Sequence, residues 1–120
     1  MVGTPYYLSP EVVQSRPYGT QTDIWSMGVM LYELCALKPP FDASSIPLLT
    51  MKIIRGAYNP IPGSFSPEIK GLVKQMLEVR ADRRPDVNKI LSMPLIQKRI
   101  KGFLNETVMK DEFSHTVLHK

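Results

Sequence analysis

Between Ile24 and Leu37 large apolar residues fall on every side of a helical wheel: Ile24, Trp25, Met27, Val29, Met30, Leu31, Leu34 and Leu37, with Glu33 the only charge among them. An α-helix that is apolar all round is a buried central helix, not a surface one. Thr22 is a cap for it, Asp23 suits its first turn, and Pro39 and Pro40 end it. The spacing predicts a second helix from about Ser45 to Arg55, with Ile46, Leu49 and Ile53 on one face, Pro47 tolerated in the first turn and Gly56 as its stop. Ser66 and Pro67 then open the clearest amphipathic stripe, Ile69, Leu72, Val73, Met76 and Leu77, spaced three and four apart. Asp86 caps a short helix carrying Val87, Ile90 and Leu91, and after Pro94 a further one carries Ile96, Ile100, Phe103 and Leu104. The pattern is all-α with almost no strand.

The two ends read differently. Met1 to Tyr18 holds Pro5, Pro10 and Pro17 and has no helical period, so it is loop with at most a short helix around Glu11 to Ser15. Beyond Asn105 the apolar residues thin out, and that tail is a weak amphipathic helix or a disordered segment. At 120 residues the chain suffices for one domain. Its net charge of +4 is scattered, with only modest clusters at Arg80, Arg83 and Arg84 and at Lys98, Arg99 and Lys101, which is no footprint for nucleic acid. The single cysteine, Cys35, lies among Leu34, Ala36 and Leu37; it has no disulfide partner, reads as a small core residue and fits a reducing compartment. The run Ile24 to Leu37 is short of the ~20 residues that span a bilayer, and no basic-then-apolar leader opens the chain, so neither secretion nor membrane insertion is expected.

Four motifs carry the chemistry. Gly3-Thr4-Pro5-Tyr6-Tyr7-Leu8-Ser9-Pro10-Glu11 resembles the end of a protein kinase activation segment of the serine/threonine type. Asp23-Ile24-Trp25-Ser26-Met27-Gly28 resembles the Asp-x-Trp-x-x-Gly signature of the central helix of the kinase C-lobe. Lys38-Pro39-Pro40-Phe41 and Arg83-Arg84-Pro85 follow in the order in which that lobe carries its proline turn and its Arg-Pro motif. Together they identify residues 1 to 104 as resembling a partial kinase domain, a helical C-lobe with the end of the activation segment as its N-terminal loop, and residues 105 to 120 as a tail. Within the kinases, the Tyr6 to Glu11 run, Tyr32-Glu33-Leu34-Cys35, and Lys98-Arg99-Ile100 leading into Phe103-Leu104 are most similar to the NIMA-related branch.

The resemblance assigns roles residue by residue. It implies that Glu11 and Arg84 form a buried ion pair tying the activation segment to the helices behind it. Asp23 would hold the catalytic loop of a complete kinase; in this chain, first-turn acid on its own helix is the expected role. Trp25 and Gly28 are structural. Thr4 would contact the catalytic machinery, while Met1, Pro5 and Leu8 line the pocket for the residue after the phosphoacceptor. Glu33 would meet a substrate arginine, with a structural role in the helix as the alternative.

What a kinase needs for chemistry is missing from the sequence. There is no Gly-rich phosphate loop, no His-Arg-Asp and no Asp-Phe-Gly triplet. ATP and Mg are therefore expected for the full-length parent and not for this chain, whose own activity is expected to be nil. The partners implied are protein substrates with Ser/Thr acceptors and the missing N-lobe and catalytic loop of the same kinase. A non-catalytic module that docks substrates or partners through Gly3 to Glu11 and the helix around Ile46 to Ile53 is the alternative. NIMA-related kinases work in the cytoplasm around microtubules, centrosomes and cilia. His115 and His119 stand four apart, a spacing zinc can use, but no third ligand is near and they read as solvated tail residues. The seven methionines fall mainly at core positions. The elements that would cover one face of the central helix are expected upstream of Met1. Each large apolar side chain left open forfeits roughly 1.5 to 3 kcal/mol of burial, so the isolated chain should be marginal and sticky.

Overall fold

The computed structural model describes residues 7 to 105 and contains no strand among them. The elements are α1 (Pro10–Val13), α2 (Thr20–Ala36), α3 (Ile46–Arg55), α4 (Pro67–Met76), a 3-10 turn (Ala81–Arg83), α5 (Val87–Leu91) and α6, over residues 94–105. The chain divides into two units, 1–86 and 87–120. The second, as far as it is described, consists of α5 and α6; Ile90 is buried in it, while Phe103 and Leu104 are exposed.

In the first unit the expected helix signals act where they stand. Ser66 accepts from the Ile69 N–H (3.3 Å) and Pro67 opens α4. Ser45 accepts from the Leu48 N–H (3.4 Å), and Gly56 closes α3 in the left-handed conformation at φ 64°, where a side chain is strained. The start of α2 differs from the expectation. It begins at Thr20 with Gly19 as its cap, and Thr22 works from inside the first turn, its hydroxyl accepting from the Gly19 N–H (3.1 Å). Thr22 thus faces inward, where its hydroxyl proton has an acceptor of its own.

The core is built on one face of α2. Trp25, Val29 and Tyr32 pack with Phe41, Leu49, Ile53, Ile61, Val73 and Leu77. Trp25 stacks on Phe41 (5.4 Å, 10°). Gly28 explains how α4 comes so close: a Cβ there would lie 2.8 Å from the Met76 Cβ and 3.1 Å from Leu77 Cδ2. The opposite face of α2 is not covered. Met27, Met30, Leu34 and Leu37 form an exposed stripe along it with Asp23 at its head, Leu34 being 76% and Leu37 87% exposed. The all-round apolarity of the sequence therefore resolves into one buried face and one open one. Leu37 ends the helix at φ 59°, a conformation that costs a side chain roughly 1 to 2 kcal/mol.

Candidate functional site

The site lies where residues 7 to 11 meet the first turn of α2 and the loop after α4. Ser9 caps α1 by accepting from the Val12 N–H (3.3 Å), and Ser9, Pro10 and Glu11 are buried. Glu11, in the first turn of α1, is buried against Arg84, 73 residues away in sequence. Arg84 Nη1 donates to Glu11 Oε2 (2.7 Å) and Nη2 to Oε1 (2.8 Å), a two-pronged pair in which both residues are under 10% exposed.

The guanidinium is used to capacity. Its remaining three N–H groups donate to the carbonyls of Glu78 (2.7 Å), Gln21 (2.8 Å) and Val79 (3.3 Å), so all five donors have acceptors. Its Cζ also lies 5.0 Å from the Trp25 ring centroid, a cation–π contact with the core. On the other partner, Thr22 donates to Glu11 Oε2 (2.9 Å). Burial by itself would raise the Glu11 carboxyl. The hydrogen bonds from Arg84, its own backbone N–H and Thr22, with the Arg84 charge, more than offset that and hold it at about 2. The indole N–H of Trp25 is the one buried side-chain donor among the described residues that has no acceptor.

The segment is tied down a second time at its start. The Tyr7 hydroxyl donates to Glu33 Oε2 (2.6 Å), and this acceptor raises the Tyr7 phenol above its usual range. Leu8 is half-buried against the core. Asp23 accepts from the Tyr18 hydroxyl and stands in the first turn of α2. Met1, Thr4 and Pro5 lie outside the described residues, as do His115 and His119. The structure thus brings Glu11, Arg84 and Trp25 into one cluster and sets Glu33 with Tyr7 apart from it.

Sequence reasoning missed Thr22, Tyr7 and Tyr18 as partners and could not name the three carbonyls. No sequence signal marked Thr22 as the partner of Glu11: it reads as a cap, and its burial, where a hydroxyl requires an acceptor, is seen only in the structure. No group of three or more His, Cys, Asp or Glu converges to hold a metal ion among the described residues. No described helix is long and apolar enough to cross a membrane.

A protein kinase domain profile matches residues 1–96. Among curated proteins the chain is 44% identical over 117 residues to human "Serine/threonine-protein kinase Nek5", a match covering 98% of this chain and 16% of that protein. It is 41% identical over 119 residues to mouse "Serine/threonine-protein kinase Nek1", covering 99% of this chain and 10% of that protein. To "Serine/threonine-protein kinase nekl-2" of Caenorhabditis elegans it is 46% identical over 96 residues, covering 80% of this chain and 27% of that protein. The chain therefore spans well under a third of the length of each, and its curated relatives are NIMA-related serine/threonine kinases, the branch that its motifs resemble.

Proposed function

The chain belongs to the protein kinase domain family, and on that premise we propose that it is the substrate-binding lobe of a protein serine/threonine kinase whose full-length parent transfers the ATP γ-phosphate to Ser or Thr. The observation that carries the reading is the double fastening of residues 7 to 11. Glu11 is clamped by Arg84 at one end and Tyr7 by Glu33 at the other, so the segment is presented on the helical body in a fixed register. A platform of this kind positions a peptide acceptor, and positioning is most of what a protein supplies in phosphoryl transfer. We assign Met1, Pro5 and Leu8 to the pocket for the residue after the phosphoacceptor, Thr4 to contact with the parent's catalytic machinery, and Glu33 to a substrate arginine on the N-terminal side of the acceptor, with Glu11, Arg84, Asp23, Trp25 and Gly28 as the frame.

The sequence holds no Gly-rich phosphate loop, no His-Arg-Asp and no Asp-Phe-Gly triplet, and among the described residues no three His, Cys, Asp or Glu converge on a metal. We assign ATP and Mg to the parent, and to this chain peptide binding without phosphoryl transfer. Two measurements test the proposal. Calorimetry and γ-phosphate transfer assays on the purified chain should detect neither Mg-ATP binding nor activity. In the full-length parent, Glu33→Ala and Tyr7→Phe should raise the peptide KM several-fold at unchanged ATP KM. Turnover by the chain alone, or an ATP KM that moves with the peptide KM, would overturn it. The same reading places the parent in the cytoplasm, among microtubules, centrosomes or cilia.

A further inference from the structure

Away from residues 7 to 11, a cavity of about 500 Å³ opens between the end of α2, the proline turn and α3. Tyr32, Lys38, Pro40, Asp42, Lys52 and Tyr58 line it. Its aromatic wall is held rigidly. Tyr58 meets Tyr32 (5.7 Å, 84°) and Phe41 (5.7 Å, 80°) edge to face, and the Tyr32 hydroxyl donates to the Asn59 carbonyl (2.6 Å).

The polar groups of this cavity are mostly unused donors. Lys38 makes no hydrogen bond or ion pair with another described residue, and neither does the Tyr58 hydroxyl. Burial, with Tyr32 and Glu78 nearby, pushes the Tyr58 phenol up from its ordinary value of 10.0, already far above neutral pH. Lys52 gives one N–H to the Asp42 carbonyl oxygen (2.5 Å) and keeps two. Against them stands the Asp42 carboxylate, whose Oδ1 is occupied by the Ala43 N–H (2.8 Å). Two cations and one carboxylate line the cavity, the Glu78 carboxylate acts on the Tyr58 phenol from outside the lining, and Arg55 adds a further cation on α3. On α3 the exposed residues Leu48, Met51, Lys52 and Arg55 share one face by their spacing of three, four and seven, apolar at its start and basic at its end.

We propose that this cavity and the adjoining face of α3 dock an acidic peptide segment of a partner protein. A carboxylate side chain enters between Lys38, Lys52 and the Tyr58 hydroxyl, and a large apolar side chain lies on Leu48 and Met51. Charge complementarity favours this occupant: Lys38, the two free N–H groups of Lys52 and the Tyr58 hydroxyl outnumber the Asp42 carboxylate in the lining, and Arg55 extends the basic end of α3. The volume suits one or two side chains rather than a folded surface. None of these residues belongs to the fastened segment or its Arg84 anchor, so this docking site stands or falls separately from the kinase-lobe reading.

The test is fluorescence anisotropy on the full 120-residue chain with a fluorescein-labelled synthetic peptide, Gly-Asp-Glu-Glu-Leu-Asp-Glu-Leu-Gly. Its counterpart with every acid replaced by the amide should bind at least about tenfold more weakly. The exposed double variant K38E/K52E should weaken the acidic peptide by a similar factor, and Tyr58→Phe by about threefold. R16E, a charge reversal at an exposed arginine outside this cavity, should leave the affinity unchanged. Amide resonances of Lys52, Tyr58 and Asn59 should shift on titration. The proposal fails if the acidic peptide does not bind, if its amide counterpart binds equally well, or if R16E and K38E/K52E weaken binding alike.

Discussion

Replacing Glu11 with Gln isolates the charge of the buried pair while keeping its size. The Glu11 carboxyl is held at about 2 in the folded chain against an ordinary 4.5. Because the folded value is the lower one, the stability it contributes is fully present above about pH 4.5 and is lost as pH falls toward 2. A gap of about 2.5 units corresponds to about 3.4 kcal/mol, and allowing for solvent screening reduces this to about 2 to 3 kcal/mol. At neutral pH Glu11→Gln leaves the Arg84 charge buried without its counter-charge, and the expected loss is about 3 kcal/mol. With a urea m-value of about 1.5 kcal/mol/M, the variant midpoint should drop by about 2 M at pH 7, followed by far-UV circular dichroism. As the pH is lowered to about 2.5 the wild-type carboxyl begins to neutralise, and the two midpoints should converge to within about 1 M. Parallel midpoint curves across that range would refute the reasoning, because they would mean that the pair carries no charge-dependent stability.

Other substitutions probe separate features. Leu37 holds a left-handed backbone while 87% exposed, so Leu37→Gly should stabilise the chain by about 0.5 to 1 kcal/mol in the same urea assay; a loss would mean that its side chain packs on something. Gly28→Ala inserts a methyl group 2.8 Å from the Met76 Cβ, and should cost about 1 to 2 kcal/mol even after the gain in helix propensity, visible as a lower melting temperature. The open stripe of α2 should make the chain self-associate, and M30E/L34K should shift it to monomer in analytical ultracentrifugation; a sharply melting, monodisperse wild-type monomer would contradict this.

The elements were legible where capping residues and periodicity agreed. Ser45, Ser66, Pro67 and Gly56 set the bounds of α3 and α4, because each acts locally, the serines by side-chain hydroxyls that accept from N–H groups three residues on and Pro67 and Gly56 by their own backbone angles. The start of α2 was not, since a glycine cap has no side chain to signal and Thr22 looks like a cap while serving as the third helical residue. Of the site, the juxtaposition of Glu11 and Arg84 was reachable only through the resemblance; nothing in a separation of 73 residues announces it. The bonds of Tyr7 to Glu33 and Tyr18 to Asp23 left no trace in the sequence, because exposed tyrosines need no partner. The periodicity of α2 also could not say which side is covered, for an all-apolar wheel carries no direction.

Three of the five bonds made by Arg84 end on main-chain carbonyls, those of Gln21, Glu78 and Val79, and only two end on the Glu11 side chain. An alanine scan of the surrounding positions is blind to the carbonyl half, since no substitution at Gln21, Glu78 or Val79 deletes the oxygen that Arg84 grips. Such a scan would register the side chains of Glu11, Trp25 and Thr22 and would still undercount the anchor. Variation at position 84 itself is the only genetic handle on the whole of it, and a lysine there, with three donors in place of five, forfeits the planar fork along with part of the backbone grip.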